Sequence, residues 1–196
     1  MNPAPTTSDH PLQDQPIETP PPGPGWSALE KVTKTIDSIS EWSGRIASFL
    51  IIGLIVTMVY EVVARYFFAS PTIWASDMTY MLYGSMFMLG AAYTLRHRGH
   101  IRTDFLYGNF PVRVQGAIDT VAYLLLFLPA ITFFLWYGWQ SFYSSWQLGE
   151  RAITSPWAPV IYPFRAVLPI TAVLLILQGV SESLKSIHAV VYARWP

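Results

Sequence analysis

Two sets of polar side chains recur at helical spacing inside otherwise apolar sequence. Glu61 and Arg65 lie four positions apart, as do Gln178 and Glu182, and Lys185 follows Glu182 by three. Residues at these spacings share a helix face and can pair. Charged groups inside lipid mark either ion or proton relays or structural pairs. A relay needs a longer chain of such groups, so we interpret both sets as structural or partner contacts.

Four further residues could meet a partner. Asp77 lies at the start of an apolar segment, where the helix dipole favours a carboxylate, so a helix-start residue is the simplest interpretation. Glu150, Arg151 and Trp157 lie in a proline-containing segment, 147–163, that could contact an extracytoplasmic protein. A connector folded back on the membrane surface explains that segment equally well, and the sequence leaves both interpretations open.

Several kinds of chemistry lack the residues they need. The chain has no cysteine, which excludes thiolate metal sites and cysteine nucleophiles. Neither a nucleotide-binding loop of the form G-x-x-x-x-G-K-[ST] nor a G-x-S-x-G motif is present. The chain has four histidines, His10, His97, His100 and His188. None of them lies at the centre of an apolar segment, where the haem ligands of a membrane anchor would lie. We therefore expect no enzyme activity, no cofactor and no metal.

Composition predicts the elements that position these residues. Of 196 residues, 52% are hydrophobic and only 12% charged, which is about half the charged share of a soluble domain. The net charge of zero argues against nucleic acid as a partner. We predict an all-α integral membrane protein with four transmembrane helices, at about 44–68, 73–95, 118–143 and 161–185. Pro129 and Pro169 should distort the third and fourth of these helices.

The N-terminal segments differ from the four spans. Residues 1–26 contain eight of the sixteen prolines and predict a disordered tail. Residues 27–43 have an apolar stripe and a polar opposite side, which predicts an amphipathic helix. We expect this helix to lie in the membrane interface, with a linker packed on a partner protein as the alternative.

Lysine and arginine predict the orientation. With a cytoplasmic N-terminus, nine of the twelve basic residues fall on the inner side and three on the outer side. Such a bias marks the cytoplasmic side, so we predict that both termini are cytoplasmic. The topology anchors would be Arg96, Arg98 and Arg102, in the connection between the second and third spans.

The order of short motifs along the chain resembles a known family. They are Arg65-Tyr66-Phe67, Pro71, Trp74 and Asp77, then Leu89-Gly90-Ala91-Ala92, Arg98-Gly99-His100-Ile101 and Asp104, and later Ser155-Pro156-Trp157-Ala158-Pro159, Pro163, Pro169 and Leu177-Gln178-Gly179. Together they are similar to the small, DctQ-like membrane subunit of tripartite ATP-independent periplasmic (TRAP) transporters.

The resemblance implies a subunit of a secondary transporter in the bacterial inner membrane. Its partners would be an extracytoplasmic solute-binding protein, a large membrane subunit driven by sodium or protons, and membrane lipids. The solute would be an organic acid or a related compound, and this chain would act as a scaffold. Two other hypotheses are a membrane anchor for an enzyme complex and a small channel or carrier that acts alone. The lack of a polar stripe through the spans disfavours the channel or carrier.

Overall fold

The computed structural model describes residues 26–97, 110–153 and 155–192, with side chains from Leu29 onward. These residues form four helices: α1 (Trp26–Phe67), α2 (Ala75–Arg96), α3 (Val112–Leu148) and α4 (Tyr162–Tyr192). In the described part of the chain the only β-structure is an isolated bridge, so the predicted all-α class is confirmed. The predicted tail up to residue 25, and the predicted topology anchors Arg98 and Arg102, lie outside the described residues.

Helix α1 is continuous across a boundary that the sequence predicted. It is a single helix of 42 residues, without the predicted division into an interfacial helix at 27–43 and a span at 44–68. The helix contains no proline, and a buried stripe crosses the expected boundary: Thr33, Ile36, Ser40, Ser43 and Ala47. The sequence changes from amphipathic to apolar near residue 44, but the helix backbone and its buried stripe continue through this point.

Among the described residues, three helices are long and apolar enough to cross a membrane: Leu29–Phe67 within α1, and the whole of α3 and α4. Helix α2 has 22 residues, about 33 Å of helix, but Tyr80, Tyr83 and Tyr93 make it less apolar. The predicted count of four spans plus an interfacial helix is therefore not confirmed. The helices do make this chain a multi-pass membrane protein.

Helices α1 and α2 form an antiparallel hairpin. The rings of Tyr60 and Trp74 lie 5.5 Å apart near the turn, and Arg96 pairs with Glu41 at the far end of α2. Between these points the helices approach closely, because a Cβ atom at Gly44 would overlap the Tyr93 ring. Helix α2 therefore lies beside residues 41–60 of α1.

Helix α4 is the centre of the bundle and contains more buried residues than any other described helix. Helix α3 packs antiparallel along one side of it: a Cβ atom at Gly116 would lie 2.8 Å from the Ser186 carbonyl oxygen, and one at Gly138 would lie 3.3 Å from Leu168 Cβ. The α1–α2 hairpin packs on α4 as well. We call the end where α1 begins and α4 finishes the terminal end, and the end with the α1–α2 and α3–α4 connections the loop end.

The two internal prolines have different effects. In α3 a π-helical segment, Ala122–Phe127, ends two residues before Pro129. Proline has no N–H to donate to the preceding turn, and a π-bulge is one way in which a helix absorbs such a defect. Helix α4 continues as an α-helix through Pro169, which is buried.

Burial is inverted relative to a soluble protein. The largest fully buried side chains are all polar, namely Gln178, Thr171, Ser40, Ser145, Ser181 and Ser186. Large apolar side chains cover the outside, including Phe49 on α1 and Phe133 on α3, both more than 70% exposed. In water this arrangement would be unfavourable. In lipid the outer apolar surface is solvated, and small polar residues allow close helix packing.

Candidate functional site

A buried polar cluster joins α1 to α4 at the terminal end. The Lys185 ammonium lies 2.9 Å from Asp37 Oδ2 and 2.8 Å from Glu182 Oε1. The Gln178 amide donates to Asp37 Oδ1 at 3.0 Å and to Glu182 Oε1 at 3.2 Å. Ser40 donates to Gln178 Oε1 at 2.6 Å. We call these five residues, together with Ser181, which donates to Asp37, the Asp37 cluster.

The Asp37 cluster is a closed network. Gln178 and Glu182 are almost fully buried, and Lys185 and Asp37 are less than one-fifth exposed. One ammonium between two carboxylates leaves the cluster with a net charge of −1 when all three groups are ionised. Each charged group has charged or hydrogen-bonding partners within the network, which is the condition for burying a charge. The network can hold α1 against α4 in one register, because Lys185 of α4 pairs with Asp37 of α1 as well as with Glu182.

The sequence placed Gln178, Glu182 and Lys185 together, and the structure brings them into contact. Asp37 was missed, because it was assigned to the polar side of an amphipathic helix. A signal for it was present: Ser40, one turn away, belongs to the stripe of small residues in α1 that packs inside the bundle.

A second cluster closes the α1–α2 turn at the loop end. The Arg65 Nε atom donates to Glu61 Oε1 at 2.9 Å, as the four-residue spacing predicted. The other carboxylate oxygen of Glu61 accepts from the Thr72 backbone N–H at 3.1 Å and from the Thr72 hydroxyl. We call Glu61, Arg65 and Thr72 the Glu61 cluster. Thr72 was not foreseen, because the shape of the turn decides whether it reaches α1.

The segment between α3 and α4 is also fixed to the bundle. Glu150 Oε1 lies 2.8 Å from the Arg165 guanidinium at the start of α4. The Ala152 N–H donates to the Pro159 carbonyl at 2.8 Å, which closes the base of the loop. Ser155 donates to Asp77 of α2. Asp77 is therefore an anchor for the loop as well as a residue in the first turn of its helix.

The proposed contacts in this loop differ in how available they are. The Glu150 carboxylate is engaged by Arg165 and is about one-third exposed. Arg151 is exposed, and its guanidinium reaches the Ala158 carbonyl only at 3.4 Å. Trp157 is 38% exposed, and Ile153 in the same loop is 96% exposed. Ile153 was not singled out from the sequence, because a lone apolar loop residue carries no spacing signal.

Two ion-paired carboxylates of α1 lie about one bilayer apart. Glu41 and Glu61 are separated by twenty residues of α1, about 30 Å, which matches the hydrocarbon layer. On α2 no charged residue lies between Asp77 and Arg96. In the described part of the chain no group of His, Cys, Asp and Glu could hold a metal ion. The charged groups in contact thus lie towards the ends of the bundle, and its middle is apolar or neutral.

These features define a class: a multi-pass helical membrane protein with polar clusters at both ends of its bundle. The family model of the DctQ component of tripartite ATP-independent periplasmic transporters matches residues 54–188, from within α1 to near the end of α4. The chain belongs to this family, as the order of its motifs predicted.

Two curated relatives support the family. The sialic acid TRAP transporter permease protein SiaT of Haemophilus influenzae (strain 86-028NP) is 26% identical over 147 residues, which are 74% of this chain and 22% of that protein. The C4-dicarboxylate TRAP transporter small permease protein DctQ of Vibrio cholerae serotype O1 (strain ATCC 39315 / El Tor Inaba N16961) is 26% identical over 118 residues, 59% of this chain and 50% of that protein. The chain therefore spans no more than about half the length of either relative.

Proposed function

We propose that this chain is the scaffold subunit of a TRAP-type secondary transporter that imports an organic acid or a related solute. The observation that carries this proposal is the placement of polar groups. The contacts of the Asp37 and Glu61 clusters are satisfied within the chain and lie at the two ends of the bundle. A transport site needs polar groups or broken helices near the membrane midplane. The scaffold therefore works with a partner that carries the solute pathway, and it catalyses no reaction itself.

The proposed membrane partner is the large, ion-coupled subunit. The outer faces of α1 and α3 are extensively apolar, so they suit burial against other helices as well as lipid. The SiaT permease supports such a partner, because the stretch that matches this chain is only 22% of its length. The second proposed partner, an extracytoplasmic solute-binding protein, would meet the loop end, and membrane lipids would surround the rest.

The proposed topology has four spans and two cytoplasmic termini, in a bacterial inner membrane. Helix α2 supports the fourth span because it lies beside residues 41–60 of α1 and has no charge from residue 78 to 95. If α1 crosses the bilayer, its paired neighbour occupies the same depth. The orientation rests on the distribution of basic residues, nine against three. Arg96, the one predicted topology anchor among the described residues, lies at the terminal end.

Reconstitution tests the proposed function. The full chain alone, in liposomes with an imposed sodium or proton gradient, is expected to give no solute uptake. Adding the large subunit and the binding protein is expected to give uptake that depends on this chain. The measurement is accumulation of radiolabelled solute. Uptake by the chain alone would overturn the scaffold proposal in favour of the stand-alone carrier.

We further expect the α3–α4 loop to dock the binding protein through Arg151 and Trp157. Changing Arg151→Glu together with Trp157→Ala should lower uptake that depends on the binding protein, with membrane assembly unchanged, because both side chains are exposed and lie outside the ion pair between Glu150 and Arg165. The measurement is uptake at several concentrations of binding protein.

The matched control for the loop keeps its shape. A double exchange, Glu150→Arg with Arg165→Glu, retains an ion pair between the same two positions. It should support nearly normal uptake if Glu150 acts only within the chain. Wild-type uptake in the Arg151→Glu, Trp157→Ala variant would remove the loop from the docking surface.

A further inference from the structure

A cationic patch at the terminal end has more positive charge than the ion pair between α1 and α2 neutralises. Glu41 is surrounded by three basic side chains. Arg96 pairs with it directly, the Arg45 Nε atom lies 3.8 Å from Oε1, and His97 Nε2 lies 3.7 Å from Oε2. One carboxylate thus faces two guanidinium groups, and the imidazole adds a third positive charge when it is protonated. The patch has an excess of positive charge.

The excess charge is open to the surroundings. The side chains of Arg45 and His97 are 62% and 51% exposed. Trp42 is 61% exposed, and the Arg45 guanidinium lies over its ring at 5.8 Å. A tryptophan beside a cation suits the headgroup region of a membrane, where its apolar ring and its N–H both find partners.

The depth of the patch places it at a lipid headgroup. Glu41 lies about 30 Å along α1 from Glu61, so the patch falls at the edge of the hydrocarbon layer. From Trp42 towards the middle of the bundle the exposed surface of α1 is apolar, beginning with Ile46 and Phe49. A ligand here meets positive charge at one end and an apolar helix face at the other, as a phospholipid does.

The patch is held in shape by the α1–α2 packing. The Tyr93 ring fills the space over Gly44, and it lies 4.3 Å from the His97 ring one turn further along α2. Arg96 is fixed by its ion pair with Glu41. The headgroup site is therefore formed before a lipid arrives, with Arg45 as its most exposed charged member.

We propose that Trp42, Arg45, Arg96 and His97 bind the headgroup of an anionic phospholipid, whose acyl chains lie along the apolar face of α1. The phosphate accepts hydrogen bonds from the guanidinium groups, and its charge neutralises the excess that Glu41 leaves. In the proposed topology this lipid belongs to the cytoplasmic leaflet. The site needs only α1 and α2, so it can be tested without the transport partners.

The test is native mass spectrometry of the purified full chain with phosphatidylglycerol or phosphatidylcholine. Wild type should retain phosphatidylglycerol preferentially. Arg45→Gln should lower that retention about five-fold, the usual contribution of one basic residue at an anionic surface. Glu41→Gln should raise retention, because it removes the competing carboxylate. Circular dichroism checks that each variant keeps its helical content.

The matched control is Lys34→Gln. It removes one positive charge from the same helix, at a side chain that is 74% exposed and paired with Glu30 at 2.6 Å. Retention should stay close to that of wild type. An equal loss in both variants would mean general attraction to the membrane surface and would overturn the site, as would unchanged retention in Arg45→Gln. Displacement of the lipid by excess inorganic phosphate would also overturn it, because the acyl chains would then contribute nothing.

Discussion

Replacing Lys185 with methionine is expected to lower the free energy of unfolding by about 3–5 kcal/mol, the usual cost of removing one partner from a buried ion pair. Lys185 is the only cation in the Asp37 cluster, and it holds Asp37 and Glu182 at 2.9 and 2.8 Å. Without it, two carboxylates that share the Gln178 amide face each other in a buried site. Unfolding in mixed micelles with increasing dodecyl sulfate, followed by circular dichroism, measures the change.

Two further variants separate charge from side-chain volume. Lys34→Met removes a lysine from an exposed pair on α1, and we expect a change below about 0.5 kcal/mol. Combining Lys185→Met with Asp37→Asn and Glu182→Gln should recover much of the lost stability, because the buried carboxylates become neutral. Wild-type stability in the single Lys185→Met variant would mean that the cluster does not hold α1 to α4.

The contacts that the sequence predicted are local ones. Glu61 and Arg65 lie on one helix, so the helical repeat alone brings them together. The same reasoning joins Gln178, Glu182 and Lys185. These predictions needed only the assignment of helix, which the apolar segments supply.

The contacts that were missed join distant parts of the chain. Asp37 meets Lys185 across 148 residues of sequence, and Ser155 meets Asp77 across 78. Periodicity indicates which side of a helix is polar, and it does not indicate what that side faces. In a membrane protein a polar side can face the bundle interior, and Asp37 does so.

The continuity of α1 across the predicted boundary has a related reason. Hydropathy falls at the N-terminal side of residue 44, but a helix ends only where its backbone hydrogen bonds are lost. Residues 26–67 contain no proline to cause such a loss. The helical fold class and the local polar pairs near the two ends of the bundle could thus be predicted from the sequence. The continuity of α1 and the packing of one helix against another required the structure.

Replacing Glu61 with leucine is expected to lower co-purification of the chain with the large subunit. Both oxygens of Glu61 are used: one by Arg65, the other by the N–H and hydroxyl of Thr72. The turn that these hydrogen bonds close includes Ala69 at φ 49°, a left-handed backbone conformation that residues other than glycine rarely adopt. Losing the carboxylate leaves Arg65 unpaired and releases this turn, so the loop end would no longer present a fixed surface. Affinity purification on the tagged large subunit measures the effect.

Hydrogen exchange of the 68–74 turn distinguishes the two roles of Glu61. In Glu61→Leu the Thr72 amide loses its acceptor and should exchange faster than in wild type, with helices α3 and α4 unaffected. Glu61→Gln keeps a carbonyl acceptor for Thr72 and loses the charge, so it should exchange nearly as slowly as wild type while still weakening the contact with Arg65. If Glu61→Leu co-purifies with the large subunit as wild type does, the cluster has no role in assembly. If it also leaves the exchange of Thr72 unchanged, the carboxylate does not hold the turn, and its two hydrogen bonds to Thr72 contribute nothing to the loop end.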